Sequence, residues 1–275
     1  MPLLPRRWPL ILFLVLLVSL PLVAGLAWLI ITGAFDRVFG LVPQGTFNPQ
    51  NWRFLWLSSL NGRPAVWVAL GNSVIFAIAV ALIELLVASM AAYAISRMRF
   101  PFRRAYLGSV LMLHAFPAIS LIIALFYILR LLGLFDTLIG VILVKAALEL
   151  PLGIWLLKGF FDNLSWEMEM AALIDGASRW TVYWKIALPL VRPGLLALGT
   201  FALLSAWGEF ILPFTLIVSG RNWTMALYLQ SFLGESFAEY GLIAAIGFFY
   251  ALPVILLFLL GQRYLLNIYS GGAKG

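Results

Sequence analysis

Five ionisable side chains stand inside or beside long apolar runs: Glu84, His114, Lys145, Glu149 and Glu209. A charge at the centre of a bilayer costs about 2.5–3.5 kcal/mol on insertion scales, so each must face protein, water or a partner. Lys145 and Glu149 are spaced i, i+4, which on a helix brings an ammonium to a carboxylate. Glu84, among Ile83, Leu85 and Leu86, needs either a neutral carboxyl or a bond from a neighbouring helix. His114 reads as a packed polar residue near Pro117. Glu209 lies between Trp207 and Pro213; a carboxylate beside an indole suits a polyhydroxylated ligand, and it suits helix packing equally. The chemistry available elsewhere is narrow. There is no cysteine and one histidine, which excludes disulfides, thiolate metal centres and any site needing two imidazoles. No Gly-Lys dipeptide occurs, so there is no phosphate-binding loop of the G-x-x-x-x-G-K-[ST] kind.

A second constellation is polar and lies between two apolar runs, over about residues 159–192. Ser165 can cap a short helix whose opening turn holds Glu167 and Glu169, where carboxylates complement the positive helix end. Gly176 stands where that helix would end in a left-handed turn. Ser178 then restarts a second helix that Pro189 stops. Trp166, Met170 and Leu173 fall on one face of the first helix, and Trp180, Trp184 and Ala187 on one face of the second. Ala171, Ala172 and Ala177 leave room for close approach around the turn. Such a pair can lay its apolar face in a partner's groove or rest on lipid headgroups.

The elements that position these residues follow from composition. The chain is 64% hydrophobic and 11% charged, with a mean hydropathy of +1.04. Soluble domains carry roughly 25% charged residues, so lipid must cover this one. The expected class is an all-α polytopic membrane protein. Spans of about 20 apolar residues are predicted at Leu10–Ile31, Val66–Ile95, Ala105–Leu129, Leu138–Leu157, Pro193–Val218 and Gly241–Leu260. The first is too long for a signal-peptide core and reads as an uncleaved helix, although Arg6 and Arg7 precede it. With the N-terminus in the cytoplasm, twelve lysines and arginines, Arg6 to Lys274, fall inside and five (Arg37, Arg53, Arg63, Arg130, Arg221) outside, Lys145 being within a span. This bias sets the orientation, puts both termini and the 159–192 loop inside, and explains the net charge of +7 without nucleic acid. The segment Thr32–Ala65 is a long outer loop with Trp52, Phe54 and Trp56 suited to the membrane interface. One membrane domain fills residues 1–275, with a tail over about 262–275.

Glu169, Ala171, Ala172, Asp175, Gly176, Ile186, Leu188 and Pro189 resemble, in type and spacing, the EAA loop of the membrane subunits of bacterial ABC importers, in its sugar-transporting, maltose/trehalose-type branch. Asn72-Ser73, Arg99-Phe100-Pro101, Phe116-Pro117 and Trp207-Gly208-Glu209-Phe210 extend the resemblance over nearly the whole chain. There are two departures: Met170 occupies the consensus acid position, leaving Glu169 as the acid nearest it, and Gly208 replaces an asparagine. The resemblance implies a helix-turn-helix loop that couples to a cytoplasmic ATPase through Glu169, Met170, Ala171, Ala172, Asp175, Gly176, Ile186, Leu188 and Pro189. It implies a tail contact through Gly271, Gly272 and Lys274, and a translocation pathway touching Asn72, Trp207 and Glu209. The implied partners are two ATPase copies, a second six-helix permease subunit, an extracytoplasmic sugar-binding protein and the lipid of a prokaryotic cytoplasmic membrane. No cofactor is expected in this chain, ATP and Mg belonging to the ATPase, and it is not expected to be an enzyme. The expected role is import of a di- or oligosaccharide; a proton-coupled secondary transporter using Glu84, Glu149 and Glu209 is the alternative.

Overall fold

The computed structural model describes residues 8–39, 42–114, 117–234 and 239–271. In chain order, α1 (Trp8–Ala34) leads to two antiparallel hairpins, β1 (Phe35–Phe39) with β2 (Val42–Phe47) and β3 (Ser59–Leu60) with β4 (Arg63–Pro64). A 3-10 turn over Pro49–Leu55 separates them. Then come α2 (Val66–Arg97), α3 (Arg103–His114), α4 (Ala118–Leu131), α5 (Leu138–Asp162), α6 (Trp166–Ile174) and α7 (Arg179–Val182). A π turn at Tyr183–Ala187 runs into α8 (Leu188–Leu190), followed by α9 (Arg192–Trp207), α10 (Ile211–Leu216), α11 (Met225–Leu233) and α12 (Tyr240–Gly271).

The helical class expected from composition is what the chain adopts, with the two hairpins added inside the segment Thr32–Ala65. Among the described residues, four stretches are long and apolar enough to cross a bilayer singly: Ile11–Ala34, Val66–Arg97, Leu138–Asp162 and Tyr240–Leu257. The other two expected spans are divided. In the third, α3 and α4 are separate helices and α4 starts after Pro117, which has no N–H to continue a helix. In the fifth, α9 closes at Gly208 and α10 restarts at Ile211. The second short helix of the loop also runs past Pro189 to Leu190, and the chain then bends by 76° into α9.

The chain divides into two compact units, Met1–Val66 with Tyr228–Leu259, and Trp67–Leu227 with Leu260–Gly275. In the first, Arg63 donates to the Ser231 hydroxyl at 2.7 Å and lies over the Phe232 ring, while Arg53 pairs with Glu239 at 2.6 Å. Trp52 and Phe54 stack near Phe248 and Phe249. Nearly every side chain from Ile11 to Val23 is exposed, so α1 is apolar all round and left for lipid or a partner. In the second unit, α2, α5, α9 and the π turn share a core of Ala88, Ala92, Ile154, Leu157, Phe161, Tyr183, Ala187, Val191 and Leu198.

Candidate functional site

The loop over 159–192 is built by local rules. Ser165 Oγ accepts from the Glu167 amide at 3.3 Å and starts α6. At its end the Ala177 amide reaches the Ala172 carbonyl (3.0 Å) and the Gly176 amide the Leu173 carbonyl (3.1 Å), the two bonds of a Schellman motif. Gly176 has φ +88°, as its position after the helix required. Ser178 Oγ then accepts from the Thr181 amide at 3.1 Å and opens α7.

The loop is pinned to α2 by polar contacts. Glu169 is 2% exposed; its Oε1 receives the Arg97 Nε–H at 2.7 Å and its Oε2 the Tyr93 hydroxyl at 3.1 Å. Arg97 also donates to the Leu164 carbonyl at 3.1 Å and faces the Trp166 ring. Tyr183 OH shares a 2.8 Å hydrogen bond with Ser89 Oγ. Glu169, the acid expected to meet an ATPase, is therefore turned into its own chain, because Arg97 offers a nearly dry guanidinium directly beneath it. Arg97 and Tyr93 escaped the sequence reading; Arg97 was legible only as one of several basic residues at a span end.

The outward surface is set by what this anchorage leaves over. Ala171, Ile174, Asp175, Gly176 and Pro189 are exposed, while Met170, Ala172, Ile186 and Leu188 are half-buried. Of the expected apolar face of the second helix, Trp180 and Trp184 meet edge to face and stay exposed, open to a partner or to lipid, whereas Ala187 enters this chain's own core with Val182, Tyr183 and Val191. Trp180 and Arg179 line, with Met90, Tyr93, Met98 and Tyr183, a groove of about 220 Å³.

Three of the five ionisable side chains, Lys145, Glu149 and Glu209, cluster in this unit; the His114 side chain lies outside those described. Lys145 Nζ lies 2.9 Å from Glu149 and 2.7 Å from Glu209, so the expected i, i+4 pair exists and is joined by a third member. Ser205 Oγ donates to Glu149. Glu209 Oε1 accepts from the Leu212 amide at 3.2 Å and caps α10, which explains an acid at the break of a membrane helix. Trp207 is buried beside it. Glu84 is fully buried, and neither carboxylate oxygen has a hydrogen-bond partner among the described residues. Asn72 lies apart from the cluster: its amide donates to the carbonyls of Arg221 (2.8 Å) and Trp223 (2.9 Å). The three expected pathway residues thus fall into two groups, Trp207 with Glu209, and Asn72 with the 221–223 segment. For the tail contact, α12 reaches Gly271; Gly272 and Lys274 lie outside the described residues, as do Phe116, Arg6 and Arg7.

Comparison with known proteins agrees with this architecture. The chain is 36% identical over 210 residues to the trehalose transport system permease protein SugB of Mycobacterium tuberculosis, covering 75% of this chain and 77% of that protein. It is 30% identical over 268 residues to the diacetylchitobiose uptake system permease protein NgcG of Streptomyces coelicolor, covering 94% and 86%. Its fold matches a chain in the crystal structure of a bacterial ABC transporter involved in the import of the acidic polysaccharide alginate, with TM-score 0.79 at 22% identity over 96% of this chain and 99% of that one. Residues 84–267 match the family described as binding-protein-dependent transport system inner membrane component. That match takes in the 159–192 loop, the charged cluster and the broken fifth helix, and the chain belongs to this family of membrane transport subunits.

Proposed function

We propose that this chain is one half of the translocation pathway of an ATP-driven importer for a di- or oligosaccharide. The observation that carries the reading is the 159–192 loop, a doubly capped helix pair, anchored by a buried ion pair, that leaves Ile174, Trp180 and Trp184 exposed. A loop resting on headgroups alone would have no need of a dry Arg97–Glu169 pair to fix its orientation. On this reading the exposed turn at Ala171, Asp175 and Gly176 enters a groove of a cytoplasmic ATPase, with Met170, Ala172, Ile186, Leu188 and Pro189 packing around it and Glu169 holding it from behind.

Two ATPase copies bind ATP and Mg, and a second six-helix permease subunit supplies the other half of the pathway. An extracytoplasmic binding protein delivers the sugar. Both termini and the loop are cytoplasmic, six spans cross the membrane as one permease domain, and the Gly271–Lys274 tail adds a second ATPase contact. Trp207 and Glu209, at the helix break, are the pathway residues nearest a passing sugar. The names of the trehalose and diacetylchitobiose relatives support the substrate class. Closure of the ATPase pair on ATP would move the docked loops and turn the pathway from one side to the other.

The test is purification of the tagged chain from its native host. Co-elution of an ATPase and a second permease, and ATP-dependent sugar uptake by the reconstituted assembly, are expected. Isolation of the chain without any ATPase would overturn the reading.

A further inference from the structure

The loop is fixed to α2 at one end of that helix, and a different segment is fixed at the other. Near the loop, Tyr93 and Arg97 hold Glu169, Arg97 holds the Leu164 carbonyl, and Ser89 holds Tyr183. Near the far end, Asn72 donates to the carbonyls of Arg221 and Trp223, and Ser73 Oγ accepts from the Met225 amide at 2.7 Å. At about 1.5 Å per residue, residues 72 and 97 stand about 38 Å apart, the depth of a bilayer. The helix between them is a stiff connection. The other three long helices, α1, α5 and α12, contain Pro21, Pro151 and Pro253, whereas α2 has no proline along its length. The covalent route out of the loop bends by 76° before α9 begins.

We propose that α2 is the transmission rod of this subunit, with Arg97 as its positioning residue: displacement of the docked loop is passed through Arg97–Glu169 into α2 and delivered by Asn72 and Ser73 to the 221–225 segment. This rests on the docking reading and extends it, assigning a role to Arg97, Tyr93, Asn72 and Ser73 that docking alone does not require. Rigid secondary elements joined by hydrogen bonds and ion pairs carry coupling between distant sites, and α2 with its two clamps is such an element. Arg97 also suits the task chemically. Its guanidinium holds the Glu169 carboxylate and the Leu164 carbonyl at once, so α6 can neither slide nor roll on α2 without breaking a desolvated pair.

The test uses the assembled transporter, this chain with its ATPase and second permease, in lipid nanodiscs. The chain has no cysteine, so a spin label is placed singly by Met168→Cys, exposed on α6 of the loop, or by Arg221→Cys, at the far end. Addition of Mg-ATP should change both spectra. In an Arg97→Gln background the response at 168 should persist and the response at 221 should be lost, with ATPase still co-eluting. Asn72→Ala should give the same split. The exchanged pair Arg97→Glu with Glu169→Arg should restore the response at 221, which a merely structural defect would not allow. A response at 221 that survives Arg97→Gln overturns the proposal while leaving docking intact. Loss of the ATPase in Arg97→Gln without recovery in the exchanged pair overturns it as well, since Arg97 would then serve the loop's structure alone. Failure of the unsubstituted chain to retain an ATPase removes the docking reading instead, and the proposal with it.

Discussion

Lys145 on α5 lies 2.7 Å from Glu209 at the break between α9 and α10, and 2.9 Å from Glu149 one turn along its own helix. One cation therefore serves two carboxylates, and the two substitutions that disturb it differ in consequence. Removing one partner of a buried pair costs about 3–5 kcal/mol when it strands the other charge. Lys145→Met strands both acids, whereas Glu209→Gln leaves Lys145 its bond to Glu149 and keeps an acceptor at the α10 cap. Thermal unfolding of the purified assembly should show a large loss for Lys145→Met and at most about 1–2 kcal/mol for Glu209→Gln. With the proton gradient collapsed by an ionophore, uptake by Glu209→Gln should still follow ATP. Accumulation that disappears with the gradient would return the acids to a proton-carrying role.

The turn at Gly176 isolates a backbone effect from a packing one. An added Cβ there meets nothing within 4 Å, yet φ is +88°. Space permits a side chain and the backbone resists it, by roughly 1–2 kcal/mol for an ordinary residue and more for a β-branched one. Gly176→Val should therefore insert normally but retain less ATPase and transport less, while Gly176→Asn, which tolerates the left-handed region, should keep most of both. Equal loss in the two variants would mean that the glycine serves close contact with the partner.

These cases divide what could be read in the chain from what could not. Ser165, Gly176 and Ser178 act within a few residues of themselves, so capping chemistry alone located both helices and the turn. The Lys145–Glu149 pair was legible for the same reason. Glu209 meeting Lys145 and Arg97 meeting Glu169 were not, since each joins residues far apart in sequence and depends on which helix faces are brought together. The same holds for Gly194, where an added Cβ would strike the Phe160 ring at 2.6 Å and which the sequence offered only as a glycine after a proline. The burial of Ala187 was hidden as well, because a 3.6-residue period sets it on one face with Trp180 and Trp184, while the π turn at Tyr183–Ala187 departs from that period.

Asp136 makes a pH prediction outside the spans. Its Oδ1 accepts from the amides of Val218 and Ser219, both at 2.8 Å, and its Oδ2 from the Ser219 hydroxyl. Burial pushes this carboxyl up, but the hydrogen bonds from Ser219 and Val218 and the charge of Arg221 outweigh it and hold the carboxyl below its ordinary range. A depressed folded value contributes stability above the unfolded carboxylate range, about pH 3.9, and that contribution is lost as pH falls through the folded value. Limited proteolysis of the 217–223 segment should then be flat from pH 7 to pH 5 in the natural chain. Asp136→Asn should be cleaved faster throughout that window, with no added dependence on pH. A natural chain that loosens between pH 7 and pH 5 would contradict this assignment.

Orientation is open to a direct chemical test because the natural chain offers no background thiol. Gln44 on the first hairpin and Arg221 are exposed, and Ser165 and Ser178 are exposed caps of the loop. On the proposed reading the excess of lysine and arginine around the loop and span ends predicts that the loop is cytoplasmic. Single cysteines at 44 and 221 should therefore react with an impermeant maleimide in intact spheroplasts, and those at 165 and 178 only after the membrane is opened. The α2 pairing strengthens the inference. Asn72 and Arg97 stand about 38 Å apart on one unbroken helix, so the 221 segment and the loop must lie on opposite faces if α2 crosses the bilayer. Reaction of 165 in intact cells would reverse the topology; reaction of 165 and 221 from the same side would show that α2 does not span.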